Sequence, residues 1–207
     1  MALDNFNGLN EIQLDVLKEI GNIGSGNAAS SLSEMLGRPI NIMVPKIRIL
    51  DYQEVSTNLG GPETLMVGLM ISIHGDIEGM MMFLLQKDFA HMTLNALLGG
   101  ALNDFSEAGE MELSAMQEIG NIMAASYINA MASLTNLKID ITVPDICIDM
   151  VGAILSVPAI HYADISDKII FIEDQLNTMD ETTSTHVLMI PDEASLKKIM
   201  NSLGIDM

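Results

Sequence analysis

The chain has 207 residues, 49% of them hydrophobic, with aromatics at 4%, no Trp and 18 Met; it can fill a sizeable aliphatic core, with Met as an adaptable filler or as part of a binding surface. Nine basic residues against 28 acidic ones leave a formal charge of −19, a field that repels nucleic acid and anionic membrane surfaces. That acidity either serves solubility alone or meets a partner with a basic face.

Met1 to Leu9 shows neither a basic n-region nor an apolar h-region, so no signal peptide is expected. No run approaches the roughly 18 apolar residues of a membrane span, and a cytoplasmic location without membrane insertion is expected. The first helix is predicted from an Asn10 cap, with Gln13 three residues on, to about Leu36. Leu14, Leu17, Ile20, Ala28, Leu32 and Met35 share the face opposite Asp15, Glu19 and Asn22. Gly21, Gly24 and Gly26 each cost such a helix up to about 1 kcal/mol relative to Ala, which calls for close packing or for clearance toward a partner.

Ile40–Val44 and Lys46–Leu50 read as strands bent at Pro45, and 58–62 as a loop. The alternation Val67, Leu69, Ile71, Ile73, a turn at Gly75-Asp76 and the run Gly79–Leu85 predict a hairpin. A short helix capped by Asp88 ends at Leu98 before Gly99-Gly100. The acidic segment Asn103–Glu112 leads into a second long helix, to about Thr135, and suits its dipole. Ile139–Val143, Ile146–Met150, Ala153–Ile160, Lys168–Ile172 and His186–Ile190 are predicted strands, and a helix from Pro191-Asp192 to Leu203 closes the chain. Cys147, the single cysteine, excludes an internal disulfide and a thiolate cluster; its apolar neighbours predict a buried structural thiol.

The halves repeat. Asp15-Val-Leu-Lys-Glu19-Ile-Gly-Asn22 returns 99 residues later as Ser114-Ala-Met-Gln-Glu118-Ile-Gly-Asn121, and Pro45 returns as Pro144. The ends match at an offset of 105, Phe83 to Gly99 against Leu188 to Gly204. This predicts an α+β fold as a single domain over residues 1–207, built from two repeats (about 10–100 and 109–205) around a pseudo-twofold axis. Strands of both repeats are expected to join in one antiparallel-rich sheet.

On a helix, Asp15, Glu19 and Asn22 fall within a stripe of about 60°. Asn is a poor mid-helix residue, yet it recurs beside Gly in both copies, which argues for function on that face. The Gly21-x-x-Gly24-x-Gly26 spacing lacks the strand and the Lys-Ser/Thr pair of phosphate-binding loops, and the second copy drops two of its glycines. His74, His91, His161 and His186 are isolated, without zinc-like spacing, and no nucleophile elbow or Cys–His pairing is visible.

The pattern Asp/Ser-x-x-x-Glu-x-x-Asn followed by Pro after 22 residues, once per half, resembles the CheC family of bacterial chemotaxis phosphatases, which includes CheX and the phosphatase-like part of the flagellar switch protein FliY. The length suits a free-standing member. The resemblance implies two long motif helices exposed side by side over a shared sheet, and hydrolysis of the aspartyl phosphate on the response regulator CheY. Carried over, Asn22 and Asn121 would each orient the attacking water, and Glu19 and Glu118 would pair with a receiver lysine. Asp15, Ser114, Pro45 and Pro144 would occupy supporting motif positions. No cofactor is expected in this chain, since the receiver brings its own Mg²⁺. The resemblance also implies binding of the receptor deamidase CheD; a CheD regulator or flagellar-switch adaptor of weak activity is the alternative. A monomer is expected.

Overall fold

Helix α1 (Glu11–Leu36) starts where a capping box allows it: the Asn10 side chain accepts from the Gln13 N–H at 3.0 Å, and Gln13 Oε1 accepts from the Asn10 N–H at 2.8 Å. It stops at Gly37, in the left-handed conformation that Gly adopts without strain. Its repeat, α4 (Glu110–Thr135), is capped by Gly109 and closed by a left-handed Asn136. The structure, a computed structural model, describes residues 9–43, 45–99, 108–161, 168–177 and 182–206.

Between and after the long helices come β1 (Asn41–Ile42), β2 (Lys46–Asp51), α2 (Tyr52–Asn58), β3 (Leu65–Gly75), β4 (Gly79–Leu85) and α3 (Lys87–Leu98). After α4 the series returns as β5 (Ile139–Ile141), β6 (Asp145–Met150), α5 (Val151–His161), β7 (Lys168–Asn177), β8 (Thr182–Pro191) and α6 (Glu193–Ser202). Among the described residues, the eight strands form one antiparallel sheet. Its centre is the seam of β4 against β8, with β3 and β7 outside them. The edges are exchanged: β1 and β2 of the first half pair with β7 of the second, while β5 and β6 of the second pair with β3 of the first. Pro45 and Pro144 each interrupt an edge strand, where a missing N–H costs least.

The period-2 alternation splits the sheet's side chains between two layers. Val67, Leu69, Ile71 and Ile73 of β3 join Leu17, Ile20, Leu32, Ile119 and Met123 under α1 and α4. Met66, Met80, Met82 and Leu84 join Val55, Ile154 and Leu155 under α2 and α5 on the other face. Among the described residues no helix is long and apolar enough to cross a membrane.

Four expectations need correction. Ala153–Ile160 is helix, within α5: the N–H groups of Val151 and Gly152 donate to Thr64 and Pro62 carbonyls (2.8 and 2.9 Å), turning the chain off the edge of β6 and across the sheet. Helix α2, unexpected, is started by a second capping box, Asp51 with Glu54. Helix α3 begins beyond Gln86, without the expected Asp88 cap. Cys147 is exposed on edge strand β6 rather than buried. Its sulfur leans over the strand toward Gly68, and partial burial, then the charge of Asp149, push the thiol up. Val44, Gly100 and the start of the acidic segment at Asn103 lie outside the described residues.

Candidate active site

Helices α1 and α4 pack side by side and antiparallel. Ser25 of α1 meets Tyr127 of α4, whereas Met35, ten residues on, shares a surface with Ser114, Glu118 and Asn121, toward the start of α4. Gly24 permits the close crossing: a Cβ there would stand 2.6 Å from the Tyr127 ring. Gly21 and Gly120 admit Ile47 and Leu69 in the same way, at 2.3 and 2.8 Å from a would-be Cβ. Gly26 differs, with no atom within 4 Å of such a Cβ.

Beneath the crossing lies a buried polar cluster. Asp174 of β7, 1% exposed, accepts from Ser25 Oγ at 2.7 Å and from the Tyr127 hydroxyl at 2.5 Å, and the two hydroxyl oxygens lie 2.7 Å apart. Burial pushes the Asp174 carboxyl up, partly opposed by its two hydrogen bonds. Burial, followed by the charge of Asp174, raises the Tyr127 phenol well above its ordinary value. Both motif helices are thereby fastened to one strand.

With their apolar sides on the sheet, the helices turn the motif outward. Glu19, Asn22, Glu118 and Asn121 are all exposed, as are Asp15 and Ser114. Asp15 holds Lys18 at 2.7 Å. Pro144 is buried and Pro45 half-buried, and the Gln117 side chain donates to the Pro144 carbonyl at 2.5 Å, tying the second motif to the bend before β6. Gln117 carried no repeat signal in the sequence, because the first copy has Lys18 at the same place.

The second copy borders an open depression. Ser114, Glu118 and Asn121 line it together with Met35, Leu97, Leu98, Met111 and Val143. This apolar shoulder was also not anticipated; the alignment of Ile12 with Met111 at the offset of 99 was the available signal. The histidines lie apart from both stripes: His74 and His161 are exposed, while His186 is buried and stacked on Phe171, with ring centroids 5.4 Å apart. Burial first of all lowers the His186 pKa.

Each stripe offers a carboxylate and a carboxamide on rigid helix, open to solvent. A carboxamide donates and accepts at once, and a carboxylate holds a cation, so the pair can place a water against a docked, charged partner.

Comparison with known proteins agrees with the repeat. The sequence profile of the CheC-like family matches twice, at residues 12–49 and 111–148. The chain is 32% identical to the CheY-P phosphatase CheC of Bacillus subtilis (strain 168) over 203 residues, covering 96% of this chain and 97% of that protein. It is 28% identical over 137 residues to the flagellar motor switch phosphatase FliY of the same organism, covering 66% of this chain and 35% of FliY. The crystal structure of Thermotoga maritima FliY superposes with a TM-score of 0.75 at 23% identity, over 95% of this chain and 98% of that one, which shows a shared fold. The chain therefore belongs to the CheC-like family.

Proposed function

We propose that this protein removes the phosphoryl group from the aspartyl phosphate of a CheY-type receiver. The observation that carries this reading is the exposed Glu/Asn stripe, present twice in a member of a family whose relatives include a CheY-P phosphatase. In the reaction, water attacks phosphorus in line, the bond from phosphorus to the aspartyl oxygen breaks, and inorganic phosphate and the free carboxylate leave. An acyl phosphate is already reactive, so what remains to supply is position. Asn22 and Asn121 each orient the attacking water, with the carboxamide as donor and acceptor. Glu19 and Glu118 pair with a receiver lysine and set the register. The divalent cation sits on the receiver. Gly26 and Ala125, one turn further along the stripes, leave clearance for the receiver backbone. No general base with a tuned pKa is required in this chain. The whole chain acts as one domain of two repeats, and as a monomer.

The test follows loss of phosphate from a phosphorylated receiver. Asn22→Ala combined with Asn121→Ala is expected to lower the acceleration by roughly 100-fold or more, toward the spontaneous rate, with the fold intact by circular dichroism. Each single variant retains about half of the acceleration if the copies work independently. A double variant as active as the wild type would refute the water-positioning role.

A further inference from the structure

The exposed stripe does not begin at Asp15 and Ser114. One turn earlier on each helix a large apolar side chain stands in solvent: Ile12 is 65% exposed and Met111 67%. They occupy equivalent places, the second residue of α1 and of α4, 99 positions apart. At about 100° per residue, Ile12, Asp15, Glu19 and Asn22 fall within a sector of about 80°, and Met111 stands in the same relation to Ser114, Glu118 and Asn121.

Helix initiation does not explain them. A first-turn staple joins the residue before the cap to the fourth helical residue, which here means Leu9 with Leu14 and Ala108 with Leu113. A single exposed apolar side chain is ordinary. The same feature at the same place on two helices that otherwise differ at most surface positions is a repeated choice. In the second copy it is continuous with further apolar surface, because Val143, 72% exposed, and Leu98, 37% exposed, line the depression that holds Glu118 and Asn121.

Resting on the phosphatase reading above, we propose that Ile12 and Met111 are docking contacts for the receiver domain, an apolar foothold beside its phosphorylated pocket. The geometry names the occupant. Ile12 lies about 10 Å along the helix from Glu19 and about 15 Å from Asn22. An interface of ordinary size covers about 800 Å² on each partner, wide enough to span both. A receiver close enough to take the Asn and Glu side chains therefore also covers the residue at the head of the same stripe. An apolar contact so far from phosphorus stabilises ground and transition states alike, so it sets KM and leaves kcat to the Asn.

The copies are separated by disabling one Asn at a time. In Asn121→Ala protein, which relies on the first copy, Ile12→Ser is expected to raise KM for a receiver phosphorylated with acetyl phosphate about tenfold, with kcat within about twofold. Met111→Ser does the same in Asn22→Ala protein, and Ile12→Leu and Met111→Leu keep the parent KM. Thermal unfolding by circular dichroism is expected to stay unchanged, since both side chains are exposed. A KM unmoved by both serine substitutions overturns the docking role and leaves the phosphatase reading standing. Full activity of the double Asn variant overturns the water-positioning role instead. The docking role is then read from Kd for the receiver trapped with beryllofluoride, where equal values for wild type and the Ile12→Ser, Met111→Ser double variant overturn it. Failure of the wild type to bind or dephosphorylate the receiver overturns both.

Discussion

Two glycines of α1 separate the demands made on single residues. Gly24 faces the Tyr127 ring, whose hydroxyl is held by Asp174 and Ser25 and so cannot swing aside. Gly24→Ala is expected to destabilise the protein by about 1–3 kcal/mol, because overpacking outweighs the gain in helix propensity. Gly26 meets nothing, and Gly26→Ala is expected to stabilise by up to about 1 kcal/mol. Urea denaturation of the two variants decides this, and a stabilised Gly24→Ala would show that the crossing is looser than it looks. At this scale the sequence was readable where a feature is periodic and repeated. Glu19 and Asn22 face outward because 3.6-residue periodicity puts them opposite Leu17, Ile20 and Leu32, and Glu118 and Asn121 do so because it puts them opposite Met116, Ile119 and Met131. It also marked the glycines as needing a packing reason, without naming Tyr127 as the reason for Gly24. Cys147 was unreadable, since an apolar run on an edge strand looks the same as one inside a sheet.

Among elements, the Ser25–Tyr127–Asp174 cluster fastens α1 and α4 to β7. Because the folded Asp174 carboxyl titrates above its ordinary value of about 4, its contribution to stability is fully present below that value and is lost as pH rises through the raised pKa. Asp174→Asn removes this slope. In urea titrations between about pH 4 and pH 8, the variant's stability relative to wild type is expected to rise with pH; a constant difference would mean that Asp174 titrates normally. Partners such as Asp174 and Tyr127, 47 residues apart, cannot be paired from a single chain. Element types came through where a period had room to show itself, in both long helices and the β3–β4 hairpin. The run Ala153–Ile160 is continuously apolar and short, which fits strand and helix alike; the bonds from Val151 and Gly152 to the loop before β3 decide it. Helix α2 carried a cue in the capping pair Asp51-x-x-Glu54, but its seven residues leave no room for a helical period to show.

For the whole molecule, the exchange of edge strands makes each half depend on the other. Residues 1–100 alone would leave β2 without β7 and β3 without β6. The halves expressed separately are expected to show no cooperative unfolding transition, and to gain one on mixing; a cooperative melt of either half alone would contradict this. The repeat made the shared sheet legible from sequence, whereas the exchange of its edges required the register. That register also shows how far the halves have parted. Lys46 opposite Glu173 corresponds to Asp145 opposite Met70, so Asp174 stands where the first half has Ile71. Ser25 and Tyr127 correspond to Ala124 and Ala28. The twofold image of the buried cluster is thus entirely apolar. A homodimer of second halves would set Met123, the counterpart of Gly24, against the Tyr127 ring, and would bury two carboxylates without Ser25. A homodimer of first halves would have no cluster at all. The duplication has become irreversible: the crossing of the helices works as a lock and key between unlike halves, and neither copy can any longer stand in for its twin.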